Sequence, residues 1–152
     1  MTETVPENIE KPDNKEHQKG VLAIIFDNAG QPFFLILQNK SDSWNGWEMC
    51  KGALLPEESP EEALARIVTE QTNLPRFHVV QKPGTTITLS QNPRPVRYEV
   101  YLVSASMNIP VAVKAPYATY LWANHARALE KLTLDQEKKA VEEVIGFVKN
   151  HH

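Results

Sequence analysis

The sequence has little cysteine, no long apolar run and no excess of positive charge, and each shortage excludes a class of protein. Its 152 residues include one cysteine, Cys50, so neither an intramolecular disulfide nor a multi-cysteine zinc site is expected. No stretch approaches the roughly eighteen consecutive apolar residues of a membrane span, and no secretory signal is recognisable. The net charge of -3 gives no general attraction to nucleic acid or acidic membranes. These absences predict a cytoplasmic protein with no membrane partner.

The distribution of apolar residues predicts one domain behind a short tail. Residues 1–19 carry charges of both signs and contain no Phe, Trp or Tyr, a composition typical of a disordered segment. A regulatory or partner-binding role is the alternative reading of this tail, and its composition does not distinguish the two. From residue 20 to residue 150 apolar runs alternate with turn residues, which indicates a folded domain.

Several apolar runs have the length and the β-branched content of strands. A hairpin is predicted around the turn at residues 27–30, and further strands are expected later in the chain. The predicted strands are Val21–Phe26, Phe33–Leu37, Phe77–Lys82, Thr85–Ser90, Val96–Ser104 and the short run Val111–Val113.

Two helices are predicted near the C-terminus. Asn124 is a good cap for a short helix that continues to Leu132. Thr133 and Gln136 have the spacing of a capping box, which predicts a second helix with an apolar face. The charged residues of this last helix, Glu137 among them, are expected to face solvent.

The segment Lys51–Leu74 has a glycine followed by a third, well-marked helix. Gly52 is predicted to lie in a loop whose backbone angles are closed to other residues. Ser59 is a good N-cap, with Pro60 and Glu62 at the positions that favour a helix start. Asn73 tolerates the left-handed conformation, so the helix is expected to end there. Leu64, Val68 and Thr72 form one semi-apolar face, and Glu62, Arg66 and Glu70 form a charged row.

The same segment resembles the Nudix box, whose family pattern is G-x(5)-E-x(7)-R-E-U-x-E-E-x-G-U, with U a bulky aliphatic residue. The spacing agrees without a gap, and the expected residue types occur at Gly52, Glu58, Arg66, Val68, Glu70 and Leu74. Ile67, Gln71 and Asn73 stand where the family has Glu, Glu and Gly. The lead-in at residues 47–52 is similar to the W-x-x-P-K-G motif of diadenosine tetraphosphate hydrolase-like members. This resemblance implies an α/β/α sandwich with a mixed β-sheet.

The resemblance also implies a metal-dependent site, and the departures from the pattern weaken it. In the family, helix carboxylates hold divalent metal against a diphosphate, which assigns Arg66 and Glu70 to the catalytic segment. Glu70 and Glu58 are the expected ligands of Mg²⁺ or Mn²⁺. Ile67 takes the place of a glutamate implicated as metal ligand or general base, and the neutral Gln71 takes the place of a second ligand. Mg²⁺ favours charged oxygen ligands, so we expect metal binding to be weak.

Four residues are candidates for binding a phosphorylated ligand. Gly52 and Lys51 belong to the implied phosphate loop, and Trp44 offers an indole on which a nucleobase can stack. Arg97 has the planar donor fork that matches phosphate oxygens. Trp44 as a cover for the sheet, and Arg97 as a solvated surface residue, are the structural alternatives.

Three functions are compatible with these residues. The favoured hypothesis is a Nudix-fold protein that binds a nucleotide or another phosphorylated small molecule with little or no Mg-dependent pyrophosphohydrolase activity. The first alternative is an active hydrolase of a nucleoside diphosphate derivative, such as a dinucleoside polyphosphate. The second is a non-catalytic module for a protein partner or, less favoured because of the acidic net charge, for RNA.

Overall fold

The computed structural model describes residues 17–90 and 94–151, and within them it confirms a mixed α/β fold. The strands are β1 Gln18–Asn28, β2 Pro32–Lys40, β3 Asn45–Glu48, β4 Cys50–Ala53, β5 His78–Gln81, β6 Thr86–Leu89, β7 Val96–Ser104 and β8 Tyr117–Asn124. The helices are α1 Pro60–Thr72, α2 His125–Lys131 and α3 Asp135–Lys149. The predicted tail lies outside the described residues as far as residue 16, and β1 already begins at Gln18.

The strands form one mixed sheet with β1 near its centre. The main path runs β3-β2-β1-β7-β5, while β4 pairs with β1, β6 with β7 and β8 with β2. The β1–β7 pairing is parallel and joins nine residue pairs from Gln18↔Val96 to Phe26↔Ser104. The other pairings are antiparallel, including the β1–β2 hairpin that the sequence predicted. Strands β1 and β7 thus hold the two halves of the sheet together.

Alternate side chains of β1 pack on opposite faces of the sheet. Val21, Ala23 and Ile25 pack with α1, and we call this side the box-helix face. Leu22 and Ile24 pack with α2 and α3 on the other side, which we call the terminal-helix face. Because helices cover both faces, β1 is apolar on both sides, as buried strands are. The arrangement is the predicted α/β/α sandwich.

Helix α1 has the caps that its sequence predicted. The Ser59 hydroxyl accepts the Glu62 N–H, and the Glu62 carboxylate accepts the Ser59 N–H in return. At the other end, Asn73 adopts the left-handed conformation with φ 57°. Leu64, Val68 and Thr72 are buried, as the periodicity of the sequence indicated. Local chemistry therefore determines where this helix begins and ends.

Two expectations for the C-terminal third were wrong. Val111–Val113 forms no strand; the Ala112 N–H donates instead to the Thr72 carbonyl at the end of α1. Thr133 does not cap α3, whose N-cap is Leu134 without a side-chain hydrogen bond. The Thr133 hydroxyl accepts the Trp47 N–H at 2.9 Å, and the Thr133 N–H donates to the Trp47 carbonyl. Tertiary pairing with β3 has replaced the local cap. No helix among the described residues has the length and apolar composition needed to cross a membrane.

Candidate functional site

Gly52 lies in β4, and its role differs from the one the sequence suggested. Its φ is not positive; in the segment between β4 and α1, the residue with positive φ is Glu57, at 64°. What Gly52 provides is space, because a Cβ at this position would lie 2.8 Å from Cδ1 of Ile67. Ile67 is 2% exposed and belongs to the core of the box-helix face. The residue that replaces the family's glutamate is therefore a packing residue.

Gln71 connects α1 to the same strand through its side-chain amide. Its Nε2 donates to the Lys51 carbonyl at 2.8 Å, and its Oε1 accepts the Lys51 N–H at 3.2 Å. Both polar atoms of the amide are thus engaged with the backbone. The second expected metal position is occupied by a structural hydrogen-bonding group.

Arg66 contacts two carboxylates and one backbone carbonyl of the box segment. Its Nε and Nη2 form a two-pronged pair with the Glu58 carboxylate at 2.8 and 2.9 Å, and Nη1 lies 3.3 Å from Glu70. Nη2 also donates to the Ala53 carbonyl at 3.0 Å. The hydrogen bond from Arg66, together with that from the Leu55 N–H, lowers the pKa of Glu58 to about 2. Arg66 and Glu58 fix the loop before α1.

This arrangement does not fit the divalent metal that the family resemblance implies. Glu58 is committed to Arg66 and to the backbone, and Ile67 and Gln71 supply no carboxylate. Glu70 has a side chain that is 56% exposed and, among the described residues, pairs with Arg66. Across residues 17–90 and 94–151 no group of three or more His, Cys, Asp or Glu side chains has the placement of a metal site. A magnesium ion here would have one free carboxylate, too little for a hard cation of this kind.

Lys51 points to the terminal-helix face and ends between two carboxylates. Its ammonium pairs with Glu48 and lies 2.8 Å from Oε2 of Glu137. The other Glu137 oxygen accepts the Met49 N–H at 2.9 Å, and Glu48 accepts from Asn39 at 2.8 Å. We call Glu48, Lys51 and Glu137 the buried charge cluster. It fastens α3 to β3 and β4.

Burial and charge act together on the pKa values of the cluster. Burial alone would lower the pKa of Lys51, but the two carboxylates outweigh it and the pKa is raised. Burial raises the pKa of Glu137 and outweighs the opposing effect of the Lys51 ammonium, while the charge of Glu48 raises it further. Burial also raises the pKa of the Cys50 thiol, and a thiol that keeps its proton is a poor nucleophile.

A cavity of about 660 Å³ opens beside the buried charge cluster. Its walls come from the β2–β3 loop, β4, the end of β6 and the start of α3; the lining residues include Asn39, Ser41, Trp44, Glu48, Lys51 and Gln136. The Ser41 hydroxyl bonds to both backbone groups of Trp44. Gly46 lets the indole pack closely, since a Cβ there would lie 2.8 Å from Trp44 Cη2. The loop thus presents Trp44 to the cavity in a fixed position.

The predicted site residues fall into three groups. Arg66 and Glu70 lie on α1, with Glu58 in the segment before it and Gly52 in β4 beside Ile67. Trp44 and Lys51 share the cavity on the terminal-helix face. Arg97 meets neither group, because it lines a separate cavity beside β6 and β7. The separation follows from the pleat, since adjacent residues of β4 point to opposite faces.

Glu137 was predicted to face solvent, and this prediction was wrong. Its side chain is 0% exposed and completes the buried charge cluster. Helical periodicity contained the signal: Glu137 is three and four residues from the buried Ala140 and Val141, which puts it on the apolar face. Glu48 gave no comparable signal, because its burial depends on the pairing of β3 with β2 and on the packing of α3, which the local sequence does not show.

Comparisons with known proteins agree on the fold. A family model described as the NUDIX domain matches residues 16–142. No curated protein matches the sequence significantly.

Three solved structures illustrate the likeness. An Ap4A hydrolase binary complex from C. elegans has 17% identity and a TM-score of 0.79, covering 88% of this chain and 99% of that one. The NUDIX domain of Shewanella oneidensis NrtR, complexed with ADP ribose, has 17% identity and a TM-score of 0.69, covering 93% and 94%. The MutT protein of Methanosarcina mazei Go1 has 21% identity and a TM-score of 0.70, covering 95% and 100%. With the family model spanning most of the sequence, the chain belongs to the Nudix family.

Proposed function

We propose that this Nudix-family protein binds a nucleotide or a similar phosphorylated ligand in the Trp44 cavity and has little or no Mg-dependent pyrophosphohydrolase activity. The main support for low hydrolase activity is that two positions of the box, Ile67 and Gln71, make structural contacts. Ile67 packs against Gly52, and the Gln71 amide forms two hydrogen bonds with the backbone of Lys51. Glu70 therefore has neither of the neighbouring carboxylates that the family pattern supplies.

The cavity supports binding for a separate reason. A volume of about 660 Å³ lies within the range of small-molecule sites. Trp44 offers a flat apolar surface, and stacking of a base on an aromatic side chain contributes about 1–3 kcal/mol. Ser41, Ser43 and Gln136 add hydrogen-bonding groups at the wall. A nucleobase is the ligand part that such a combination suits best.

The role that we propose for Lys51 differs from the phosphate binding that its sequence position suggested. Two carboxylates neutralise its ammonium, so it brings no net positive charge to the cavity. An ammonium has three donors, and one remains for a ligand group. We propose that Lys51 orients a ligand by hydrogen bonding and does not attract it by charge.

Binding and turnover should be measured with the same ligands, with and without Mg²⁺. Ap4A and ADP ribose are suitable because proteins of similar fold are named for the one or complexed with the other; ATP completes the panel. We expect saturable binding that survives EDTA, and no release of product above a metal-free blank. Trp44→Ala should weaken binding about 5-fold to 150-fold by loss of stacking. The control is Trp122→Phe, because the Trp122 indole is partly buried and packs on the box-helix face, away from the cavity.

An active hydrolase is the second candidate, and the exposure of Glu70 is the observation that favours it. This carboxylate is 56% exposed, so it is accessible to solvent, and its partner within the described part of the chain is Arg66 at 3.3 Å. Mg-dependent product release that Glu70→Gln abolishes would establish this candidate and overturn the proposal of a binding protein.

A further inference from the structure

A second cavity, of about 450 Å³, lies on the box-helix face at the N-terminal ends of β1 and β7. Its lining residues include Lys19, Leu54, Pro60, Lys82, Arg97 and Tyr101, and we call it the basic cavity. Lys19 and Arg97 are direct register partners in the parallel β1–β7 pair, so both side chains project from the same face of the sheet. The sheet itself brings these two cations together.

Among the described residues, the lining of the basic cavity holds more positive than negative charge. Within residues 17–90 and 94–151, Lys19, Lys82 and Arg97 form no ion pair. The one carboxylate in the lining is Glu99, two residues along β7 from Arg97 and on the same face. Three cations that line one cavity repel one another, and a bound anion reduces that repulsion.

The inner wall of the basic cavity is apolar. Leu54 comes from the segment leading into α1 and Pro60 is the first residue of that helix, and the buried ring of Tyr101 lies behind them. The Lys82 ammonium sits 5.9 Å from the centroid of the Tyr101 ring, close enough for a cation–π contact. The cavity thus combines a cationic rim with an apolar wall, which suits an anion attached to an apolar body.

The basic cavity is distinct from the Trp44 cavity. The two share no lining residue among the described part of the chain. Arg97 and Tyr101 point to the box-helix face, whereas Lys51 points to α3 on the other side of the sheet. A ligand in one cavity therefore leaves the other free.

We propose that the basic cavity is a second binding site, specific for a small organic phosphate. Arg97 offers a fork that matches two phosphate oxygens, with Lys19 and Lys82 supplying further charge. Leu54 and the wall behind it contact the apolar part of the ligand. This site neither requires nor excludes a nucleotide in the Trp44 cavity.

Phenyl phosphate is the sharpest probe, because it carries a phosphate and an apolar ring but no nucleobase. Titration of the full chain, followed by amide chemical shifts, is expected to move Gly20, Leu54 and Thr86, with the Trp44 indole unaffected. Phenol should leave these signals unchanged, and inorganic phosphate should bind more weakly than phenyl phosphate. Trp44→Ala should bind the probe as the wild type does, so failure of the nucleotide site and failure of this site are distinguishable.

Variants that remove positive or negative charge from the basic cavity test whether the phosphate binds there. Lys82→Gln with Arg97→Gln should weaken phenyl phosphate binding at least about 10-fold, as expected for two charge-assisted contacts. Glu99→Gln removes the repelling carboxylate and should tighten binding about 2-fold to 5-fold. Arg127→Gln with Lys139→Gln, two exposed cations on α2 and α3, makes the same change in net charge and should have no effect. Equal weakening in both double variants, or shifts confined to the Trp44 cavity, would overturn the proposal.

Discussion

The side chain of Gln71 holds both backbone polar atoms of Lys51, donating to the carbonyl at 2.8 Å and accepting the N–H at 3.2 Å. This pair fastens α1 to β4 where the family pattern has a glutamate. An amide suits the position because it has a donor and an acceptor, whereas an ionised carboxylate has acceptors only. The departure from the pattern is therefore matched to its surroundings, and Gln71→Glu should carry a cost.

Gln71→Glu is expected to lower the free energy of unfolding by about 1–3 kcal/mol at pH 7, because the Lys51 carbonyl loses its donor and faces a negative charge. Protonation would restore a donor, so the difference from the wild type should shrink as the pH falls. Urea unfolding at pH 7 and pH 5 measures both effects. A variant as stable as the wild type at pH 7 would show that the hydrogen bonds contribute nothing measurable.

Ile67→Glu combined with Gln71→Glu restores the family's carboxylates and tests the metal argument directly. Without metal, the double variant should be at least about 3 kcal/mol less stable, because a charge replaces a side chain that is 2% exposed. Millimolar Mn²⁺ should raise the melting temperature of the double variant and leave that of the wild type unchanged.

The same double variant should be assayed for hydrolysis of Ap4A with Mg²⁺. Activity in the double variant alone would show that access to the cleft is intact and that the carboxylates are what the chain lacks. Equal activity in both proteins would contradict our interpretation of Ile67 and Gln71.

Local patterns predicted the fold well because the deciding interactions are close in sequence. The caps of α1, the hairpin of β1 and β2, and the bounds Val96–Ser104 of β7 all follow from neighbouring residues. The site was predicted less completely. Whether Gln71 meets metal or the Lys51 backbone, and whether Glu137 faces water or Lys51, depends on packing between elements far apart in the chain. Arg97 was assigned to the nucleotide site because its residue type suits phosphate, while strand pleat decides which face it occupies.

Glu58 should stabilise the fold in a pH-dependent way. Its pKa is lowered to about 2 by the hydrogen bonds from Arg66 and the Leu55 N–H. A lowered pKa in the folded state means that the contribution is present above the unfolded value of 4.5 and is lost as the pH falls towards 2. Glu58→Gln should therefore be less stable than the wild type at pH 7, and the two proteins should converge between pH 4.5 and 2. The midpoint of urea unfolding at several pH values measures this difference; Glu57→Gln, beside it in the loop, is the matched control.

The buried charge cluster allows the strongest prediction about stability. Lys51→Met leaves Glu48 and Glu137 buried without their shared ammonium, and breaking a buried ion pair in this way costs about 3–5 kcal/mol. Adding Glu137→Gln should recover a large part of that loss, because one carboxylate and its repulsion are removed while Met49 keeps an acceptor for its N–H.

The pH dependence of the same cluster separates charge from packing. Burial raises the pKa of Glu137, so in the wild type the folded state binds a proton that the unfolded carboxyl has already released above pH 4.5. Stability from this group accordingly falls as the pH rises from 4.5 through the folded pKa. Glu137→Gln should lack this slope, and Lys51→Met should be least destabilised at low pH, where the carboxyls are protonated. A loss in Lys51→Met that is the same at pH 4 and pH 7 would mean that the lysine acts through the packing of its aliphatic chain and that its charge contributes nothing.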